Sequence, residues 1–206
     1  MSDDMQTICE ALGVAVPAGE LDAAGLVFAK HLAVLDDMMR CPVTMEAFEE
    51  PVTTVDGFQL ERSAAEAWFA RGHNTSIVTG KVLHDLSLTP SPMCGIMRAL
   101  FVDGGSLLAA PVRVDTTEVL LKGHITAMSM ALLCPITLER FEHPILTSDG
   151  HSYEYVAFVD WLRTGQNSSP LTGLELTRRV IYQNRLVLAL LRLIVETEEE
   201  LALLQA

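Results

Sequence analysis

Cys134-Pro135-Ile136-Thr137-Leu138-Glu139 decides how this chain is read, because the same phrase occurs earlier as Cys41-Pro42-Val43-Thr44-Met45-Glu46. The two phrases head segments 41–101 and 134–194, which align without a gap at an offset of 93, with 20 of the 61 aligned pairs identical. Pro51 answers Pro144, Asp56-Gly57 answers Asp149-Gly150, and Trp68, Gly72 and Asn74 answer Trp161, Gly165 and Asn167. Ser76, Thr79 and Gly80 answer Ser169, Thr172 and Gly173. A repeat of this kind predicts two copies of one supersecondary unit. A copy of roughly 60 to 70 residues lies near the lower limit for a self-sufficient core, where a metal, a disulfide or a partner surface usually helps.

Each copy has the same punctuation. The Cys-Pro loop leads to a short strand ending at Pro51-Val52 or Pro144-Ile145. Asp-Gly then marks a hairpin turn, followed by a second strand over 58–60 or 151–153. A helix is predicted over 63–70 and 156–164, with Ala67 and Trp68, or Phe158, Trp161 and Leu162, on its apolar face. A polar loop, a short apolar segment and a last helix close each copy. In copy one Pro90, Pro92 and Gly95 predict a disturbed start to that helix.

Outside the copies, apolar spacing predicts a helix over 21–39, a weaker one over 5–12, and another over 120–133. Asp103-Gly104-Gly105-Ser106 reads as a hinge and 112–114 as a strand. The helix after Asn184 carries Leu186, Val187, Leu188, Leu190, Leu191, Leu193 and Ile194 over more than one face, so both faces are buried or one meets a partner. Glu198-Glu199-Glu200 marks its solvated end.

Composition narrows the function. Net charge is −13 with no Lys/Arg-rich patch, which argues against nucleic acid and anionic membrane as partners. No apolar run reaches the length of a membrane span. The start, Met1-Ser2-Asp3-Asp4, lacks the basic residues of a signal peptide. Four scattered cysteines without a CxxC suit a reducing, cytoplasmic compartment.

Taken in order, Cys134 to Glu139, Pro144, Asp149 to Glu154, Trp161-Leu162, Ser169-Pro170-Leu171-Thr172-Gly173 and Asn184 resemble the U-box of ubiquitin ligases. Copy one follows the same pattern with more departures. The tandem arrangement is similar to that of an effector ligase that Legionella delivers into its host, which would place the chain in host cytosol. The resemblance implies an α+β fold of two tandem U-boxes, RING-like and zinc-free, with flanking helices. It divides the chain into a helical segment at 1–36, a degenerate box at 37–102, a linker at 103–126, and a second box with a long helix at 127–206. RING folds hold their loops with zinc, and a zinc site takes four Cys/His ligands, usually in close pairs. Cys41, His73 and His84 are the nearest approach here and fall short, so no metal and no cofactor are expected. The loops are then held by polar contacts, for which Glu61, Arg62 and Asn74, and Glu154, Asn167 and Asn184, are the candidates.

The resemblance also implies an activity without a covalent intermediate and without a catalytic residue of the chain's own. A U-box docks a conjugating enzyme charged with ubiquitin and orients it toward a lysine of a bound protein substrate, a gain of proximity and pose. The docking positions fall on Ile136 and Leu138 in the first loop and Pro170 in the second, with Val43, Met45 and Ile77 the counterparts in copy one. The alternative, that Ile136 and Leu138 are ordinary core residues, is weakened by Cys134 and Phe141, which are better placed to fill the small core. Ile77 in place of proline, and Leu60 in place of the tyrosine at 153, favour copy two as the conjugating-enzyme site and leave copy one for substrate or for a structural role. The donor residue of the family's second loop falls on Gly80 and Gly173, which cannot donate from a side chain. That departure supports the rival reading, a non-catalytic interaction scaffold. A thiol acceptor at Cys9 or Cys94 lacks activating neighbours. A homodimer through the last helix is a further expectation, and so is packing of the two copies on each other.

Overall fold

The computed structural model describes residues 23–101, 114–177 and 181–204. The helix expected over 5–12, Cys9 and the hinge at 103–106 lie outside them. The elements are α1 (Ala23–Met38), β1 (Pro51–Thr53), β2 (Gln59–Glu61), α2 (Arg62–Ala70), β3 (Thr89–Pro90), α3 (Pro92–Phe101), α4 (Val114–Ala131), β4 (Pro144–Leu146), β5 (Ser152–Glu154), α5 (Tyr155–Arg163), β6 (Tyr182–Gln183) and α6 (Arg185–Leu203). Among the described residues no helix is long and apolar enough to cross a membrane.

Contacts gather the described residues into two compact units, one of 23–38, 96–101, 114–131 and 190–204, the other of 39–95, 132–177 and 181–189. The second unit holds the sheets. Each is antiparallel and three-stranded, in the orders β2-β1-β3 and β5-β4-β6. Val52 faces Leu60 and Pro90, and at the same offset Ile145 faces Tyr153 and Gln183. The β2 and β5 strands sit one residue later than the sequence pattern suggests. The third strand of each sheet is only two residues long and is fixed by pairing across nearly 40 residues of chain, so no local signal announces it. Pro90 is tolerated there because the strand is at the sheet edge.

Two expectations are corrected. Pro92 does not disturb α3 but begins it, since the first helical turn has no use for the missing N–H and the fixed φ suits it. Val114 opens α4 rather than closing a strand.

The copies differ in core volume. In copy one Val52, Leu60 and Ala65 are buried, with Ile77 and Leu88 packed against them. In copy two the cluster is Ile145, Tyr153, Phe158 and Leu176, backed by Ile136, Trp161, Leu162 and Ile181. The Tyr153 and Phe158 rings stack with centroids 5.2 Å apart. An aromatic ring buries roughly 150–250 Å², which at about 25 cal/mol per Å² is about 4–6 kcal/mol per ring before entropy. The leucine and alanine of copy one bury far less, so copy two has the firmer core.

The other unit is helical. Its α1 packs on α4, and His31 and Thr197 meet across α1 and α6. The stripe Leu190, Leu193, Ile194, Thr197 and Leu201 of α6 is buried, whereas Val195 and Leu203 are exposed. The apolar content of this helix therefore resolves into one buried face with scattered exposed residues.

Candidate functional site

The first loop of copy two is built around a thiol. Cys134 is fully buried, and its Sγ accepts the Ile136 N–H at 3.4 Å and the Glu154 N–H at 3.3 Å. Its carbonyl accepts the Leu138 N–H at 2.8 Å, and its own N–H donates to the Glu139 carbonyl at 2.8 Å. This closure turns Leu138 into the left-handed region, φ 59°, with its side chain 73% exposed. Copy one repeats each feature: Cys41 Sγ accepts from Val43 and Glu61, and Met45 sits at φ 61°, 67% exposed. Burial works to raise the Cys41 thiol, but the N–H groups of Glu61, Thr44 and Val43 outweigh it and hold the thiol below its usual range. A non-glycine residue at positive φ costs roughly 1–2 kcal/mol. Two exposed apolar side chains held there are uncommon and point to use.

Ile136 is half-buried and packs against the copy-two cluster, so it serves the core with one side and borders the loop surface with the other. Val43 in copy one is more open, at 41%. Cys134 and Phe141 are buried, as their places in the loop suggest.

A carboxylate pins the loop at its far end. Glu154 accepts the N–H of Glu142 at 2.8 Å and of His143 at 3.0 Å. Glu61 likewise accepts from Glu49 at 2.9 Å and Glu50 at 3.0 Å. Arg62 lies 3.5 Å from Glu50 and 3.6 Å from Glu66, while Tyr155, its counterpart, is exposed. Charge-assisted bonds of this kind are roughly twice as strong as neutral ones. Replacing Glu154 by glutamine keeps the shape but turns one of the two accepting oxygens into an NH2 donor that faces an N–H group. We expect a loss of about 1–2 kcal/mol, read as a melting temperature lower by several degrees, with wild-type melting unchanged in excess EDTA. A melting curve that shifts with EDTA but not with Glu154→Gln would overturn this account of how the loop is held.

The second loop separates the copies further. In copy two the Tyr153 hydroxyl lies 2.8 Å from Ser169 Oγ, accepts the Leu171 N–H at 3.4 Å and donates toward Asp149 Oδ2 at 3.4 Å. Burial pushes the phenol up to about 12, so it stays a donor at physiological pH. Ser169 Oγ also accepts the Thr172 N–H at 3.1 Å. In copy one Leu60 has no hydroxyl; there Ser76 Oγ accepts the Val78 and Thr79 N–H groups, and the loop meets the Asp56 turn through a 3.5 Å contact from Thr79 Oγ1 to Asp56 Oδ2. Pro170 and Ile77 are both half-buried, and Ile77 packs into the copy-one core. Leu171 and Leu174, which flank the turn after Pro170, are 53% and 68% exposed. Sequence reasoning passed over them, although an apolar residue on either side of Thr172-Gly173 was the available signal.

The remaining candidates divide by type of contact. Asn184 donates to Ser152 Oγ at 2.8 Å and accepts the Val187 N–H at 3.1 Å, so it ties the sheet to the start of α6. Asn74 and Asn167 take part through their backbone carbonyls, which accept the N–H of Leu83 and Leu176. His73 stacks on Trp68, centroids 3.8 Å apart, and Trp68 Nε1 donates to the Thr75 carbonyl. Cys94 is fully buried, and burial raises its thiol to about 11, which removes it as a nucleophile.

Comparison with known proteins bears on the second copy. Residues 130–190 match the U-box domain family. The chain is 37% identical over 68 residues to WD repeat, SAM and U-box domain-containing protein 1 of Gallus gallus, covering 33% of this chain and 14% of that protein. The human protein of the same description is 42% identical over 53 residues, 26% of this chain and 11% of that protein. U-box domain-containing protein 16 of Arabidopsis thaliana is 32% identical over 87 residues, 40% of this chain and 12% of that protein. The chain thus spans about an eighth of the length of these relatives. The U-box resemblance is supported over the second copy, within a fold of mixed helix and sheet.

Proposed function

We propose that this chain is a U-box-type ubiquitin ligase in which the two copies, 37–102 and 127–206, are tandem boxes. Copy two docks a ubiquitin-charged conjugating enzyme on Ile136, Leu138 and Pro170, and copy one serves the protein substrate. The setting is the cytosol, that of a host cell if the chain is a delivered effector. The observation that carries the reading is the apex of the first loop, where Leu138 stands 73% exposed in a strained left-handed conformation. A large exposed apolar side chain at such a place is what a docking hot spot requires. The firm second loop of copy two, tied through Tyr153, supports its choice over copy one.

Transfer then needs no group of the chain's own to become covalently attached. The loops fix the conjugating enzyme, whose thioester passes ubiquitin to a substrate lysine, and the chain contributes orientation. The glycines at 80 and 173 favour the scaffold alternative, in which docking occurs without promoting transfer.

An auto-ubiquitination assay over a panel of conjugating enzymes separates the two. Ubiquitin chains are expected on the wild type, and Ile136→Ala is expected to lose transfer by at least about tenfold, a modest hot-spot effect, while remaining folded. Binding without chains for every enzyme in the panel would favour the scaffold. Damage from Val43→Ala with a silent Ile136→Ala would reverse the roles of the two boxes.

A further inference from the structure

The two copies touch each other reciprocally within their unit. Gly57 of copy one lies at φ +84° against copy two, where a β-carbon would stand 2.5 Å from the Gln183 carbonyl oxygen and 3.1 Å from Arg185 Cγ. Gly150 of copy two lies at φ +82° against copy one, where a β-carbon would stand 2.7 Å from the Pro90 carbonyl oxygen and 3.1 Å from Pro92 Cδ. Adding 93 to 57, 90 and 92 gives 150, 183 and 185, so one set of contacts is the image of the other. That is the signature of an isologous interface, folded here into a single chain. On one side Arg185 fastens it, donating to the Asp56 carbonyl at 2.8 Å and lying 4.7 Å over the Phe58 ring. Tyr182 adds a hydroxyl contact to Asp85 at 3.3 Å. On the other side Pro92 takes the place of the arginine.

The turn that copy one touches is also the turn that holds the second loop of copy two. Gly150 N–H donates to the Thr147 carbonyl at 2.9 Å, and Asp149 accepts from Thr147 Oγ1 and from the His151 N–H. The other Asp149 oxygen faces the Tyr153 hydroxyl, which reaches Ser169 and the Leu171 N–H. Copy one lacks the tyrosine relay, because Leu60 stands where Tyr153 does, and its turn meets the second loop through the long 3.5 Å contact of Thr79 Oγ1 with Asp56.

We infer that copy one is a positioning element for copy two: Pro90 and Pro92, closing on Gly150, fix the Asp149 turn and through Tyr153 set the second loop beside Pro170. The inference rests on the reading of copy two as the docking box. It makes Pro90, Pro92 and Gly150 positioning residues for a surface none of them touches. It also explains why a chain would keep a degenerate copy: the firm loop of one box is braced by the other. The bracing is one-sided, since the same contact at Gly57 leads to a loop without the tyrosine.

The mirror glycines supply the test. Gly150→Ala and Gly57→Ala place the same methyl group at matching points, at a left-handed backbone in both cases. Hydrogen exchange is followed at the Leu171 and Thr172 amides, and affinity is measured for a conjugating enzyme that the wild type binds. Gly150→Ala is expected to speed exchange at both amides and to weaken docking, each by about tenfold, the range of couplings carried through packed and hydrogen-bonded contacts. Gly57→Ala should leave both within about twofold, the error of such comparisons at uncoupled sites. Pro92→Ala, a milder change on copy one, moves both quantities in the direction of Gly150→Ala and carries the test if that variant does not fold. Unchanged exchange at Leu171 in folded Gly150→Ala and Pro92→Ala, or equal effects from the two glycine variants, overturns the inference. A wild type that binds no conjugating enzyme sinks the docking reading instead, and the exchange measurement still decides whether copy one braces the loop.

Discussion

Replacing Leu138 by glycine is expected to abolish ubiquitin transfer while leaving the chain at least as stable as before. The two effects come from different properties of one residue. Its backbone sits at φ 59°, where a β-carbon costs roughly 1–2 kcal/mol that glycine does not incur. Glycine in turn loses more freedom on folding, about 0.5–1 kcal/mol, so the net change is a gain of about 0.5 kcal/mol. The side chain is 73% exposed, so little burial is lost. Docking as proposed, by contrast, would lose its apex. A central apolar hot spot is worth about 2–4 kcal/mol, or roughly 30- to 1,000-fold in affinity. Single-turnover discharge of a charged conjugating enzyme, run beside a thermal melt, reads both. A variant that melts earlier and still discharges would show that Leu138 is a structural residue. Met45→Gly is the companion experiment: the same backbone relief at φ 61°, with discharge unaffected if copy two alone docks.

That separation of strain from stability was not visible in the sequence. Nothing in the residue types of Cys134 to Glu139 announces a left-handed leucine, because the conformation follows from closure of the loop on the Cys134 carbonyl and not from any preference of leucine. The hairpins were legible, since Asp-Gly is a local turn signal. So were α2 and α5, whose apolar spacing lies within one helix. The Cys-Pro phrase itself was legible as a motif, but the thiol was expected to fill the core and instead also accepts two N–H groups, a role set by where the β2 and β5 strands pass. The third strands were illegible for the same reason: two residues carry no period, and their partners are distant in sequence.

Other features were within reach and passed over. The offset of 93 carries His31 onto His124, ten residues before the Cys-Pro phrases. Extending the register back by ten residues pairs two helices whose apolar positions correspond, Leu32 with Ile125 and Leu35 with Met128, all buried. The reciprocal contacts at Gly57 and Gly150 could not have been reached that way. Identical turn glycines suit a hairpin in either copy, and only the neighbouring carbonyl oxygens distinguish a turn that faces solvent from one that faces its own repeat.

The histidine pair has the second large consequence, a steep loss of stability in mild acid. His31 is 1% exposed, its Nδ1 lies 2.9 Å from Thr197 Oγ1 on α6, and its Nε2 lies 3.1 Å from His124 Nδ1 on α4. Phe28 of α1 meets the His124 ring edge-on. Burial lowers His31 to about 4 and, with the added repulsion of His31, His124 to about 3. Lys30, the adjacent residue on α1, pairs with Glu200 of α6, and both histidines are neutral at pH 7. In the unfolded chain both rings titrate near 6.5, so above that pH neither state takes up a proton and stability is constant. Below it the unfolded chain binds protons that the folded chain refuses, and each group costs about 1.4 kcal/mol per pH unit until its own folded value is reached. From pH 6.5 to pH 4.5 one proton alone removes about 2 kcal/mol, a large share of the stability of a small domain. Urea midpoints measured from pH 7.5 to 4.5 are expected to fall across that window in the wild type. In a His31→Leu/His124→Leu double variant the fall should be much shallower, whatever its stability at neutral pH, because the comparison is of slopes. Parallel curves for the two proteins would assign the acid sensitivity to carboxylates elsewhere and leave the buried pair with a packing role only.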